Sequence, residues 1–401
     1  MTERRKSIGK LVLDLFGSYG LACLLLLCLF ILTIRGTWHQ KDAGLYEAKK
    51  IFFESWFVWG EFAGVKVPTF PGGVLVMSLL AINMIIGGLW RLRINQRTIG
   101  VAIIHVGIAF MMFAGLVKLE TADEGYLTLF EGRESDHFVD YHLWEVAIWN
   151  ADAAQSSGGA VEHLITDDVF ADLAGDRTRT FTSSELPFDV ALSNFVPHCN
   201  VMPKGPMWEA TGPVVDGFAM RAMPVPEEAE RAVAGVHVAV NVGGETQRAI
   251  LWGYENYPWT VEADGQTWAL TLRHRRYPMP FTIQLEDFQK EEHPGTGIAK
   301  SYRSFVLRKS EDREDRVLIE MNEPLREGGL VLFQSGWGPQ DAPPGAPLYS
   351  TFSVVDNPSD KWPEYSLWVI TAGMLITFLV RLTKFLGSES RKRMIESGTT
   401  S

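Results

Sequence analysis

The sequence predicts a membrane α + β protein: four transmembrane helices, arranged three plus one, with a large mostly-β extracytoplasmic domain between the third and the fourth. Three observations predict it. Four runs, at residues 15–34, 74–90, 98–117 and 365–380, contain no Asp, Glu, Lys or Arg. The acidic residues collect between the third and fourth runs: residues 118–364 carry 20 Lys+Arg against 40 Asp+Glu, a net −20, and the rest of the chain is +9. That same stretch is written in short alternating or β-branched segments, the pattern of half-buried strands.

Residues 1–14 hold Arg4, Arg5, Lys6 and Lys10 and read as a cytoplasmic N-terminus. The first helix, 15–34, is long enough to span a bilayer. It is too long for the apolar core of a signal peptide and ends in Arg35 with no small-residue cleavage site, so it reads as retained. Residues 35–73 form an extracytoplasmic loop. The second helix, 74–90, is entered through Pro68 and Pro71-Gly72-Gly73, and Arg91, Arg93 and Arg97 follow it in a short cytoplasmic loop, 91–97. The third helix covers 98–117. The fourth has 16 uncharged residues before Arg381; the long Arg stem snorkels and lets the helix continue, giving 365–386. Trp362, Tyr365 and Trp368 form an aromatic belt where it starts. The tail, 387–401, carries Arg391, Lys392 and Arg393. Dense positive charge at both termini and in the 91–97 loop places all three in the cytoplasm. The 35–73 loop also holds five basic residues, but they are spread out and accompanied by Asp42, Glu47, Glu54 and Glu61.

The acidic β domain therefore spans 118–364, outside the membrane. Strands are expected at 126–130, 145–149, 188–196, 236–242, 247–254, 268–274, 281–288, 303–307, 316–321, 330–334 and 350–355. Turns fall at Gly243-Gly244, Asp264-Gly265 and Gly328-Gly329, and such spacing argues for a sandwich or barrel. Residues 153–159 and 339–347 read as loops, and 224–230 as the start of a short helix. The segments Pro187-Phe-Asp-Val-Ala-Leu-Ser-Asn-Phe195 and Pro280-Phe-Thr-Ile-Gln-Leu-Glu-Asp-Phe288 share one alternating pattern, through either duplication or convergence.

Several function classes are excluded or left without support. A −20 domain repels phosphate backbones, so no nucleic acid partner is expected. Three cysteines, Cys23, Cys28 and Cys199, make no disulfide framework. Without Cys-x-x-Cys there is no thiol-exchange centre, and without Cys-x-x-Cys-His no self-attached c-type haem. No nucleophile elbow, phosphate loop or zinc-protease motif occurs.

His105 is the sharpest chemical feature. It lies about seven residues inside the third run, roughly 10 Å deep at 1.5 Å per residue. An ionisable side chain there points to function by default. Two readings stay open: an imidazole that ligates a metal or haem iron, or one whose ring N–H bonds a backbone carbonyl or Asn83 of the second helix. His39, in Arg35-Gly-Thr-Trp-His-Gln40, follows the first helix beside Trp38, with Trp56 and Trp59 later in the loop. It either helps cover a porphyrin edge or belongs to an interfacial anchor. His137 and His142, with Glu134, Asp136 and Asp140, form either a candidate metal cluster, though of no recognised ligand spacing, or an ordinary exposed acidic loop.

Taken together, the chain resembles the ResB/CcsB-like family of system II cytochrome c biogenesis proteins. The first helix leads to Gly36-Thr-Trp-His-Gln and Phe53-Glu-Ser-Trp-Phe57; the second carries Asn83 and Trp90-Arg-Leu-Arg93. The third carries His105-Val-Gly107, followed by Gly125-Tyr-Leu-Thr-Leu-Phe-Glu-Gly132. The most specific stretch is Pro280–Phe288, then Tyr302-Arg-Ser304, Met321-Asn-Glu-Pro-Leu325, Phe333-Gln-Ser335 and Phe352-Ser-Val-Val-Asp-Asn-Pro358. The family often has Asp-Pro-Gly near the last helix, where this chain reads Asn357-Pro-Ser359.

The resemblance implies a subunit that assists haem delivery across the membrane and its attachment to apocytochrome c, together with a CcsA/ResC-like membrane partner. It marks His105 as the haem-handling position and leaves the Trp-rich haem-binding segment to the partner, so this chain is expected to be no complete synthetase by itself. A membrane-anchored β scaffold with no haem role is the alternative, and a metal-dependent outer-face enzyme using His137 and His142 a further one.

Overall fold

The computed structural model describes residues 8–398 apart from 158, 176, 297, 311–312 and 344; Arg4, Arg5 and Lys6 lie outside the described residues. The chain forms two units, one helical, drawn from residues 1–122 and 357–401, and one of β-sheet, residues 123–356.

In the helical unit, α1 (Ile8–Phe16) and α2 (Tyr19–Ala48) are separated by Gly17-Ser18. The Ser18 hydroxyl caps α2, accepting from Leu21 N at 3.1 Å. The carbonyls at the end of α1 need donors of their own. Buried Asn83 supplies them: its Nδ2 donates to Phe16 O at 2.6 Å and to Ser18 O at 3.0 Å.

The first apolar helix does not stop near residue 34. It continues to Ala48, kinked at Gly44 (φ 80°), and then into a π-helical turn, Lys49–Phe53. Charge composition marks where a run ceases to be apolar; it does not mark where i to i−4 hydrogen bonding stops. Packing carries this helix on, since Leu32, Gly36 and Phe52 are buried and a Cβ on Gly36 would meet the Phe53 ring at 2.8 Å. The remainder of the 35–73 segment is a hairpin, β1 (Phe57–Phe62) and β2 (Val65–Pro71). Then follow α3 (Gly73–Asn83), which runs on as a π-helical segment Met84–Trp90, and α4 (Ile99–Thr121). The last helix, α6 (Trp362–Gly398), comes after a short α5 (Ala151–Ser157) in the β unit. Four helical stretches, Tyr19–Phe53, Gly73–Trp90, Ile99–Thr121 and Trp362–Arg393, are long and apolar enough to cross a membrane.

The antiparallel α4–α6 pair is built on small residues seven apart. Gly100, Gly107 and Ala114 on α4 are buried, as are Ser366 on α6 and Ser359 just before it. A Cβ on Gly100 would lie 2.6 Å from Gly373 O, and one on Gly107 would lie 2.6 Å from Ile370 and 3.1 Å from Ser366 O. The Ser359 hydroxyl donates to Ala114 O at 2.9 Å. Backbones this close gain dispersion and polar contacts that lipid cannot supply.

The β unit runs β3 (Asp123–Phe130), β4 (Glu134–Asn150), β5 (Glu162–Thr166), β6 (Thr178–Phe181), β7 (Asp189–Val196), β8 (Cys199–Pro203) and β9 (Phe218–Ala222). It continues with β10 (Gly235–Val242), β11 (Glu245–Trp252), β12 (Trp259–Ala263), β13 (Gln266–Glu292), β14 (Ala299–Ser310), β15 (Arg313–Glu320), β16 (Leu325–Glu327), β17 (Leu330–Gly338) and β18 (Tyr349–Asp356). A ten-stranded sheet has the order β15-β14-β13-β4-β3-β18-β17-β16, with β12 added to β13 and β5 to β4; a four-stranded sheet has the order β11-β10-β7-β6; β8 and β9 form a ribbon.

Two cores result. In the first, Val190, Leu192, Val236, Val238 and Val240 of the smaller sheet face Ile148, Trp268, Leu270 and Leu272 of the larger one, as in a sandwich. In the second, the large sheet curls around Leu127, Phe138, Ile283, Leu285, Leu332, Phe352 and Val354. It does not close into a barrel, which corrects that alternative. Its end strands β15 and β16 share only the reciprocal bonds of the turn at Glu320 and Glu323, with no ladder beyond. Buried Arg308 on β14 spans the gap instead, donating to Asp315 on β15 at 2.7 Å and to Glu327 on β16.

The strands expected at 268–274 and 281–288 are one strand, β13. Pro278 and Pro280 interrupt its register with β4 between Pro278 and Ile283, so they bend the strand from one core to the other without ending it. Of the two similar segments, 187–195 contributes to the first core and 280–288 to the second, with different neighbouring strands. The three expected turns are two-residue hairpin loops with positive φ at both positions, for example Gly243 (60°) and Gly244 (90°). Residues 151–157 are helical where a loop was expected, with Asn150 Oδ1 accepting from Ala153 N to start the turn. The helix expected at 224–230 is only a short 3-10 turn at Ala229–Arg231.

Two predictions follow from these contacts. Gly107→Val should destabilise the α4–α6 pair by about 1–3 kcal/mol, read as a lower melting temperature in detergent; Gly115→Val, where a Cβ meets nothing within 4 Å, should not. The second concerns Asp356, which pairs in register with Asp123. Its pKa is pushed up, by burial first and by the Asp123 charge second. The folded state thus favours the protonated form: this contribution to stability is present below the ordinary carboxylate range and is lost as pH rises through the raised value. Asp356→Asn should therefore raise the melting point at pH 7 by the equivalent of about 0.2–1 kcal/mol, for relief of a like-charge cross-strand pair. The gain should disappear in scans below about pH 4.

Candidate functional site

Within α4, the His105 ring is half-buried, and its Nδ1 lies 2.8 Å from Val101 O, one turn back. A carbonyl only accepts, so Nδ1 carries the proton, and in the neutral ring Nε2 keeps its lone pair. Among the described residues Nε2 has no hydrogen-bond partner. The two readings of this histidine are therefore compatible: the hydrogen bond to a backbone carbonyl exists, and it uses the nitrogen that a ligating imidazole does not need. Such a bond is what fixes tautomer and ring orientation in metal-ligating histidines. Asn83 is not the partner, since its amide is spent on the α1–α2 break.

The far side of the ring faces Gly88, in the π-helical segment after α3. A Cβ on Gly88 would lie 2.6 Å from His105 Cδ2 and 3.0 Å from Nε2. The preceding Gly87 is equally tight elsewhere, its Cβ position 3.0 Å from Gly17 O. Residues 17, 87 and 88 thus bring backbone against backbone and backbone against imidazole. The sequence reading missed Gly88; the pair Gly87-Gly88 inside an apolar run was the available signal, since glycine marks close approach there.

His39 does not follow the first helix. It lies within α2, edge-on to Phe52 with ring centroids 5.5 Å apart, and Arg35 lies over the same ring at 5.5 Å. Trp38 points away and is exposed, as are Trp56 and Trp59 on and beside the hairpin. The three tryptophans therefore do not close over His39. An open groove of about 460 Å³ on the outer face of α2 is lined by Phe30, Thr33, Ile34, Thr37, Trp38 and Lys41, and includes neither His39 nor His105. No hydrogen bond or ring contact joins the two histidines.

The β unit offers no comparable centre. Among the described residues no three His, Cys, Asp or Glu side chains converge as metal ligands. His137 bonds Asp136 at 2.9 Å, and Asp140 accepts from His142 N, Leu143 N and the Tyr277 hydroxyl. Cys199 is buried, which pushes its thiol up to about 12 and makes it a poor nucleophile. Where β13 crosses between the cores, β4 bulges at residues 140–143 and a polar seam forms that the sequence reading did not assemble. Arg273 bonds Glu145 at 2.9 Å and also Glu162, Arg275 bonds Asp167 and Asp168, and His274 stacks on Trp144 at 4.0 Å. Burial raises the Asp167 carboxyl pKa and lowers that of His274. Arg273 and Arg275 are paired with carboxylates, so the seam reads as a brace between modules, although Glu145 Oε2, His274 Nδ1 and Arg275 Nε are buried there without a hydrogen-bond partner.

The geometry at His105 can offer one oriented nitrogen donor in an apolar surround. One donor is too few for a bare metal ion. It is enough for an iron whose equatorial positions a macrocycle already fills. ¹⁵N spectra of the histidine-labelled protein should show the His105 ring with a pyrrole-like Nδ1 and a pyridine-like Nε2, and a shift toward the other tautomer would remove this reading.

No curated protein matches the chain. The ResB-like family matches residues 95–359, about two thirds of its length, including α4 with His105 and the whole β unit. A run that takes in the apolar helix with His105 and the entire β unit is shared with that family, and the chain belongs to it: it is a ResB-like protein, which implies involvement in cytochrome c biogenesis.

Proposed function

We propose that this protein is a membrane subunit of the system II cytochrome c maturation machinery, working with a CcsA/ResC-like partner in delivering haem across the membrane to apocytochrome c. The observation that carries the reading is His105, with Nδ1 bonded to Val101 O and Nε2 free beside a glycine. In this reading His105 would hold the haem iron through Nε2 within the membrane. When bound, haem supplies the vinyl groups that form thioether bonds with the cysteines of the apocytochrome, so this chain contributes no nucleophile; the buried Cys199 thiol accords with that.

The chain's own residues hold and orient. Val101 O keeps the proton on Nδ1, the Gly88 backbone packs against the ring face, and the α4–α6 seam fixes the helix that bears the ring. The dense cationic turn at Arg91, Arg93 and Arg97 and the tail at Arg391–Arg393 support an orientation with both termini in the cytoplasm and the acidic unit outside, in the periplasm or its equivalent. Four helices with a single histidine ligand are half of a path, and the partner supplies the rest. His39, turned edge-on to Phe52, supports a packing role better than a ligand role.

The test is the absorption spectrum of the detergent-purified complex with its CcsA-like partner, wild type against His105→Ala. A Soret band that shifts or is lost in an assembled mutant complex is expected. An unchanged band leaves the haem with the partner and makes this chain a scaffold; no haem in either stable complex removes the haem role.

A further inference from the structure

Most features outside the His105 site are already satisfied by packing. The Phe288, Tyr302 and Trp337 rings stack on one another under Lys290, and the polar groove beside them is laced with ion pairs such as Lys300–Glu291 and Arg303–Glu320. Buried His237 is held between Asn194 and Pro213 O. One contact that stability does not explain is the approach of a π-helical glycine to an imidazole in an apolar helix.

Gly88 lies in a seven-residue π-helical segment, Met84–Trp90, which follows ordinary α-helix without a break. A π segment sacrifices ideal hydrogen bonding and is found disproportionately at functional sites. Glycine also lowers helix stability by up to about 1 kcal/mol relative to alanine, and here two occur in succession. Gly87 has a packing reason, because it meets the Gly17 backbone. For Gly88 the three atoms nearest its Cβ position all belong to the His105 ring: Cδ2, Nε2 and Cγ, at 2.6, 3.0 and 3.2 Å. Since Nδ1 is tethered to Val101 O, the ring has no free swing away from position 88. These three distances put that Cβ position over the face of the ring beside Cδ2, so any side chain there would press on the imidazole face and turn the plane that carries the Nε2 lone pair.

We propose that Gly88 is a positioning residue for His105: the glycine in the π segment lays its backbone against the face of the imidazole and so fixes the ring plane and the direction of the Nε2 lone pair. The ligand class admitted is one that presents a flat face and needs one further donor. This rests on the haem reading for the ligand's identity; the contact itself stands independently of it.

The experiment compares Gly88→Ala with Gly87→Ala in the full-length protein. Gly87→Ala tightens the same segment against Gly17 without touching His105, so it reports a purely structural disturbance. Two readouts are taken: the rate of His105 carbethoxylation by diethylpyrocarbonate, followed by mass spectrometry, and the electron paramagnetic resonance signal of the haem-loaded complex with its partner. Gly88→Ala should change the rate of His105 labelling and should weaken haem binding, read from the axial-ligand signal, by about tenfold, the scale of a disturbed outer-shell contact; Gly87→Ala should change neither. Labelling at the wild-type rate in Gly88→Ala, or an equal change in both variants, overturns the proposal. Failure of the haem reading shows differently, as a His105→Ala complex with an unchanged Soret band, and leaves the labelling comparison valid.

Discussion

The structure depends on one constraint, the close approach of α4 and α6 along small residues spaced by seven. Gly100, Gly107 and Ala114 meet Gly373, Ser366 and Ser359, and no larger side chain fits at the glycines without moving backbone. The two helices are far apart in sequence, with the whole β unit inserted between them. Their pairing requires the inserted unit to begin and end at neighbouring points. The β unit meets that requirement in its own hydrogen bonding, since its first and last strands, β3 and β18, pair from Asp123–Asp356 to Phe130–Tyr349. That junction tolerates the two facing carboxylates, an electrostatic cost borne where the chain has little freedom to place its ends elsewhere.

The same helix pair fixes the chemistry. His105 sits between Gly100 and Gly107 along α4, and the turn that seats these glycines against α6 presents the imidazole to the π segment on another side. Helix packing, the backbone hydrogen bond at Nδ1 and the glycine at position 88 therefore act on one ring from three directions. An imidazole so held loses little conformational freedom when a ligand binds, which is the benefit of preorganisation.

Much of this was legible in the sequence. The apolar runs located the four helices, the alternation located most strands, and the Gly-Gly and Asp-Gly pairs located the hairpin turns, because each signal is local. His105 stood out because an ionisable residue in an apolar run is costly. What was not legible depends on contacts between distant segments. The extension of α2 to Ala48 follows from packing of Gly36 on Phe53, and nothing in the charged stretch around Lys41 announces it. Pro278 and Pro280 look like strand terminators, yet a long strand shared by two cores needs a bend at that point. The Asn357-Pro-Ser359 turn, a departure from the family's usual pattern, acquires a reason only when Ser359 is seen to close the helix seam onto Ala114 O. The heptad of small residues was visible in principle, but its two halves lie some 250 residues apart.

The unclosed edge of the large sheet has a mechanical consequence. Along its strands the curled sheet is held by continuous backbone ladders, but between β15 and β16 it is held by one tight turn at the end and by the Arg308 side chain part-way along. Widening the curl along that line breaks the Arg308–Glu327 ion pair and the buried hydrogen bonds of Ser304 to Gln334 and Ser350, and no ladder, with the turn left as a hinge. The sheet therefore has a built-in direction of compliance, and the second core beneath it, lined by Leu325 and Ile319 at this edge, is the part of the domain most easily wetted when the molecule is loaded or warmed.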